Sequence, residues 1–219
     1  VRLSFTPEYF GLLCSDVKAF PVARAVVASS AVPLLFNPIV VQNYAGCSEG
    51  TPQWLLEAKK RLAKDDEMSL VIEKLETLTD KENRKYIHLV DGGITDNLGL
   101  RAIYETVELA GGAVALQRQS QRQYPQTVLV ISVDASTEPQ PMDTSLAEPG
   151  VAESITAITD IQIHRYNAAT LKLFESKLNE WAMSVSTSER KVTPHFVKLR
   201  LQDLTDQAEK EYFNNIPTS

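Results

Sequence analysis

The stretch Tyr86-Ile-His-Leu-Val-Asp-Gly-Gly-Ile-Thr-Asp-Asn97 decides how this chain is read. Tyr86 to Val90 has the short apolar run of a strand, and it ends on an acid followed by two glycines. Asp96 or Asn97 then stands where a helix cap belongs, and the helix is expected to run to about Ala110, where Gly111-Gly112 stops it. Downstream, Thr127-Val-Leu-Val-Ile-Ser-Val-Asp134 is apolar nearly throughout, as the buried strands of parallel sheets are. Strand, helix and strand in that order predict a βαβ unit, and with it an α/β fold.

Working outward toward the start of the chain, Val1 to Phe5 alternates as a short strand, and Phe10 to Cys14 is open between a strand and a loop edge. Pro21 sits at a first helical position, so Val22 to Ala31 is expected as a compact helix that Pro33 ends. Leu34 to Gln42 reads as extended. Trp54, Leu55, Leu56, Ala58, Leu62 and Ala63 recur at helical spacing, and Leu70, Val71, Ile72, Leu75 and Leu78 predict a second helix.

Beyond the opening stretch, Gln117 to Gln126 reads as a polar loop. Ala135 to Gly150, with three prolines, is a longer loop expected to be mobile and to be cut first by proteases. Val151 to Met183 follows as one long helix or a broken pair, a helical layer with Ile155, Ile158, Ile161, Leu171, Leu173, Phe174 and Leu178 as its apolar set. His195 to Leu201 alternates as a strand does.

The 219 residues are a length for one domain with its own core, so Val1 to Ser219 is expected as a single domain. With 22 basic against 28 acidic side chains the net charge is −6, which argues against a nucleic-acid binder while leaving a membrane surface open. The longest apolar neighbourhood, Ala25 to Val41, is broken by Ser29, Ser30, Pro33, Asn37 and Pro38, so no transmembrane segment is expected. Three scattered histidines and two cysteines match no metal-ligand spacing, and neither a metal nor a cofactor is expected. Cys14 and Cys47 flank the small-residue helix and its following strand, each beside a loop. They are expected to lie close enough to pair, with two buried free thiols as the alternative. Pairing goes with export; the compartment is otherwise open between export and membrane association. The chain opens on Val1 without an initiating Met or the apolar block of a signal peptide, and is read as a piece of a longer one.

Two segments carry chemistry. Asp91-Gly92-Gly93 puts a carboxylate at the carboxyl end of a strand, where α/β sheets hold ligands, and the glycines are expected to allow a sharp turn with positive φ. The alternative is a turn acid that caps the next helix. Pro21-Val-Ala-Arg-Ala-Val-Val-Ala-Ser-Ser-Ala-Val-Pro33 is rich in small residues, which permits close helix packing or leaves room for an acyl chain.

Taken together, Phe5-Thr-Pro-Glu-Tyr-Phe-Gly11, Pro21 to Pro33, Asn43-Tyr-Ala-Gly46 and His88 to Gly99 resemble patatin-like phospholipases in order and separation. The resemblance is clear over roughly Val1 to Ala110 and extends to Ile216-Pro-Thr-Ser219. It implies a three-layer α/β/α sandwich and hydrolysis of lipid acyl esters by a Ser–Asp dyad. Asp91 matches the family's catalytic aspartate, supported by Gly92 and Gly93, and a lipid or acyl-ester substrate with peripheral membrane contact follows.

One departure stands out. The family's strand-to-helix G-x-S-x-G nucleophile turn and its glycine-rich oxyanion loop are not recognised in these residues, although Gly46-Cys47-Ser48-Glu49-Gly50 has the bare spacing. The expectation is that both precede Val1, so that this chain is the acid-bearing C-terminal portion of the domain and is inactive alone. The competing reading is a non-catalytic lipid- or protein-binding member of the same fold that has lost its nucleophile. A nucleotide site at Gly92-Gly93 is disfavoured, because the G-x-G-x-x-G spacing is missing. Ser29 and Ser30 are read as mid-helix residues rather than nucleophiles. His88 is expected to point away from Asp91, and His164 and His195 are assigned no catalytic role.

Overall fold

A computed structural model of the chain describes residues 2–33, 35–47, 50–120, 126–134, 150–200 and 203–214. Helices and short sheets alternate along it, consistent with an α/β class. The chain divides into two compact units, Val1–Arg122 and Gln123–Ser219.

The first unit begins differently from its sequence reading. Arg2 to Ser4 form no strand; the Arg2 guanidinium instead donates to the Thr95 carbonyl at 3.0 Å and pairs with the buried Glu105 carboxylate. Phe10 is not in a strand either, but in helix α1 (Pro7–Leu12). Pro7 supplies the fixed φ of a first helical turn, and Tyr9, Phe10, Leu12 and Leu13 are buried at helical spacing. Helix α2 (Val22–Ser29) is as expected, with Pro21 just outside it. The following extended run is shorter than expected: Leu35 and Phe36 donate back to the Val32 carbonyl in a turn, and strand β1 covers only Ile39–Gln42.

Helices α3 (Gln53–Arg61) and α4 (Asp66–Glu76) then bury Leu55, Ala58, Ile72 and Leu75 of the expected periodic positions, together with Met68, while Leu56 and Leu70 are exposed. Asp65 caps α4 by accepting from the Met68 N–H at 3.0 Å. The chain returns as β2 (Tyr86–Leu89), antiparallel to β1 with Val41 opposite Ile87. Ile87 and Leu89 face the core and Tyr86 and His88 face outward, the period-two alternation of a half-buried strand.

After β2 a one-turn helix α5 (Gly93–Asp96) precedes α6 (Leu100–Leu109), so the single helix expected there is two. Gly99, at φ 69°, makes the break. Asp96 takes the capping role: its carboxylate accepts from the Arg101 N–H at 3.1 Å and the Ala102 N–H at 2.8 Å. Asp96→Ala leaves both donors without that partner and is expected to cost about 1 kcal/mol, read as a lower urea midpoint at unchanged slope. Gly111, at φ 103°, ends α6, but a further helix α7 (Gly112–Ser120) follows at once. Gln117 to Ser120 are therefore helical rather than loop, and 121–125 lie outside the described residues.

The second unit holds β3 (Thr127–Asp134), the unbroken helix α8 (Val151–Val185), β4 (Thr193–Arg200) and α9 (Gln207–Asn214). β3 and β4 are parallel, from Thr127 opposite Thr193 to Asp134 opposite Arg200. The parallel strand–helix–strand unit is thus β3–α8–β4, and β2 and β3 fall in separate two-stranded sheets. Phe174, Leu178 and Ala182 are the buried apolar positions of α8 among the described residues, beside the buried polar Asn167 and Thr170, and the Phe174 ring lies 5.6 Å from the Phe196 ring on β4. Ile158 and Ile161, expected in that apolar set, are exposed. β3 is also less buried than its composition predicts: Leu129, Ile131 and Val133 are 57%, 53% and 67% exposed. Among the described residues β4 is its one neighbouring strand, and the sheet face that carries Leu129, Ile131 and Val133 is exposed. The expected loop at 135–149 and the terminal Ile216-Pro-Thr-Ser219 lie outside the described residues.

Candidate active site

Asp91 stands just past the end of β2, half-buried, in the first unit. Two hydrogen bonds join its turn to the end of α2. The Asp91 N–H donates to the Ala31 carbonyl at 2.9 Å, and the Gly92 N–H donates to the Ser29 carbonyl at 3.2 Å. Carbonyls at a helix C-terminus have no intrahelical donor, and here the Asp91 turn supplies it. The small residues of the Pro21–Pro33 run make this approach feasible: Ala28 and Ala31 are fully buried.

The carboxylate is positioned by its own turn. Asp91 Oδ1 accepts from the Gly93 N–H at 2.6 Å, an Asx turn. No other described group donates to this carboxylate, so its second oxygen is unengaged. The two glycines serve by their size rather than by positive φ, contrary to the sequence expectation: Gly92 has φ −68°. A Cβ on Gly93 would lie 2.8 Å from Asp91 Oδ1, so the missing side chain is where the carboxylate sits. A Cβ on Gly92 would touch Ser29 Oγ at 3.5 Å, and a branched side chain there would reach into the end of α2. Gly92→Val is therefore expected to lower stability by roughly 1–3 kcal/mol. An unchanged thermal midpoint would show that α2 is not seated on the turn.

Ser29 and Ser30 close α2 instead of lying inside it. The Ser30 hydroxyl donates to the Val26 carbonyl at 3.0 Å, and Ser29 makes no hydrogen bond to Asp91, so neither is an activated nucleophile. His88 is on the outward face of β2, opposite Val40 of β1. His164 and His195 lie on α8 and β4 of the second unit. Among the described residues no group of three His, Cys, Asp or Glu side chains could hold a metal ion, and no helix is long and apolar enough to cross a membrane.

Two further features frame the site. Cys14 and Cys47 form a disulfide with a Cα separation of 5.2 Å. Beside it Asn43, 4% exposed, donates to the Leu78 and Arg84 carbonyls at 2.9 and 2.8 Å and accepts from Lys81 Nζ at 2.5 Å. Burial holds the Lys81 ammonium below the usual lysine range. The second feature is a cleft of about 340 Å³ at the other end of the sheet, between Phe10, Phe20, Arg24, Val41, Tyr44 and Tyr86. It excludes Asp91, which is five residues, about 16 Å of extended chain, beyond Tyr86. Sequence reasoning passed over Arg24, although it is the only charged residue between Pro21 and Pro33. No protein-family model, curated protein or solved structure matches the chain.

Proposed function

We propose that this chain is the acid-bearing portion of a lipid acyl hydrolase resembling the patatin-like phospholipases, a three-layer α/β/α sandwich in its complete form. The observation that carries the reading is the stitching of α2 to the Asp91 turn, which brings the two resembling segments together around a carboxylate with one anchored and one unengaged oxygen. In this scheme a serine hydroxyl attacks the ester carbonyl while Asp91 takes its proton. Backbone N–H groups near the serine hold the oxyanion. Asp91 then protonates the leaving alcohol, and water repeats the sequence on the acyl-enzyme, returning the proton to serine. No cofactor enters.

The bare G-x-S-x-G spacing occurs once in the 219 residues, at Gly46-Cys47-Ser48-Glu49-Gly50, where Cys47 is held in the disulfide to Cys14 and Ser48 lies outside the described residues; the reading takes its serine from chain outside the 219 residues, with Ser48 as the candidate within them. The second reading is a lipid- or protein-binding member of the fold without a nucleophile. The disulfide supports an exported protein, and the exposed Val22, Val26 and Phe36 side chains support peripheral contact with a membrane. The test is hydrolysis of a short-chain chromogenic ester by the intact protein, wild type against Asp91→Asn. Turnover that depends on Asp91 supports the hydrolase, and a folded intact protein without turnover leaves the binding module.

A further inference from the structure

Arg24 has no reason to be where it is for the sake of its helix. It sits in the first turn of α2, where the helix dipole disfavours a cation. It pairs with no carboxylate among the described residues, although acidic side chains outnumber basic ones 28 to 22. Its guanidinium lies 5.5 Å from the centre of the Phe20 ring, and one nitrogen, Nη2, donates to the Val40 carbonyl of β1 at 2.9 Å. The side chain is thus held at the mouth of the cleft with donors to spare, since a guanidinium carries five N–H groups.

The cleft is lined by both apolar and polar side chains. Phe10, Leu13 and Val41 are buried beneath it, and Phe20, Tyr44 and Tyr86 stand around it. Its volume of about 340 Å³ is at the lower end of the range for small-molecule sites, and its lining mixes aromatic and aliphatic side chains with the polar Ser15, Arg24 and Gln42. An apolar body covers Phe10 and Val41, and an anionic head reaches Arg24, whose planar fork matches a carboxylate.

We propose that the cleft between α1, α2 and the β1–β2 sheet binds a medium-chain carboxylate, with its head on Arg24 and its chain against Phe10, Phe20 and Val41. The site is separate from Asp91 and stands whether or not Asp91 is catalytic.

Calorimetric titration of the intact protein with octanoate, octanol and octyltrimethylammonium tests it. Octanoate is expected to bind about tenfold or more tightly than octanol, the difference made by one charge-assisted pair, and octyltrimethylammonium more weakly than either. Arg24→Gln is expected to abolish the preference for octanoate while leaving octanol unchanged, and Arg24→Lys to retain part of it. Equal affinity for octanoate and octanol, no binding of octanoate at millimolar concentration, or a preference that survives in folded Arg24→Gln would each overturn the proposal. If Arg24→Gln fails to fold because the bond to Val40 is lost, the wild-type ligand series decides alone.

Discussion

Intact protein carrying Asp91→Asn is expected to hydrolyse a short-chain ester about 10² to 10⁴ times more slowly than wild type, the usual worth of a positioned general base. Asparagine keeps the size of the side chain and an oxygen to accept the Gly93 N–H, which in the wild type lies 2.6 Å from Oδ1. The bonds from Asp91 and Gly92 to the end of α2 are made by main-chain N–H groups, so the substitution leaves them in place. What changes is the unengaged oxygen. In the proposed scheme a carboxylate oxygen takes a proton from the nucleophile, and an amide group cannot. The loss should therefore fall on turnover, with an unchanged circular dichroism spectrum. Equal rates from two equally folded samples would remove Asp91 from the mechanism and the dyad with it.

Removing the disulfide has the largest expected effect on stability. Cys14 and Cys47 are 33 positions apart, and freeing a loop of that length costs roughly 3.5 kcal/mol through the wider freedom of the unfolded chain. Cys14 also closes α1 in an unusual way. Its φ is 53°, its N–H donates to the Gly11 carbonyl, and the Ser15 N–H donates to the Phe10 carbonyl. This is a Schellman ending with a cysteine at the left-handed position that glycine normally holds. Such a conformation costs a residue with a Cβ roughly 1–2 kcal/mol, so the cross-link keeps a residue that the backbone alone would not select. Urea unfolding of Cys14→Ser/Cys47→Ser should show a midpoint lowered accordingly, and Cys14→Gly/Cys47→Ser should recover part of the difference. Identical midpoints for oxidised wild type and the double serine variant would mean that the bond contributes nothing.

Much of the local structure was legible because its determinants are local. The helical spacing of Leu55, Ala58, Ile72 and Leu75, the cap Asp96 and the acid after β2 all lie within a few residues of what they control. The same holds for the placement of Cys14 and Cys47 beside loops at either side of one helix. Helix α1 was misread where two signals competed: Pro7 and the spacing of Tyr9, Phe10, Leu12 and Leu13 outweigh the strand character of a short apolar run. The glycines after Asp91 were identified but for the wrong reason, since room for the carboxylate is a property of the folded turn and not of the residue type.

Strand pairing was not legible. Composition identified β2, β3 and β4 as strands, yet β2 pairs antiparallel with β1 while β3 takes β4 as a parallel partner across the whole of α8. A strand's sequence states its period and its apolar face; which edge meets which depends on contacts between distant segments, and each adds stability only once the intervening chain is ordered. So it is with the candidate site. The sequence by itself placed an acid at the end of a strand and a small-residue helix some 60 positions earlier. Only the tertiary structure brought the last carbonyls of that helix to the Asp91 turn and set Arg24 over an aromatic cleft, because a main-chain hydrogen bond or an exposed guanidinium leaves no trace in residue spacing.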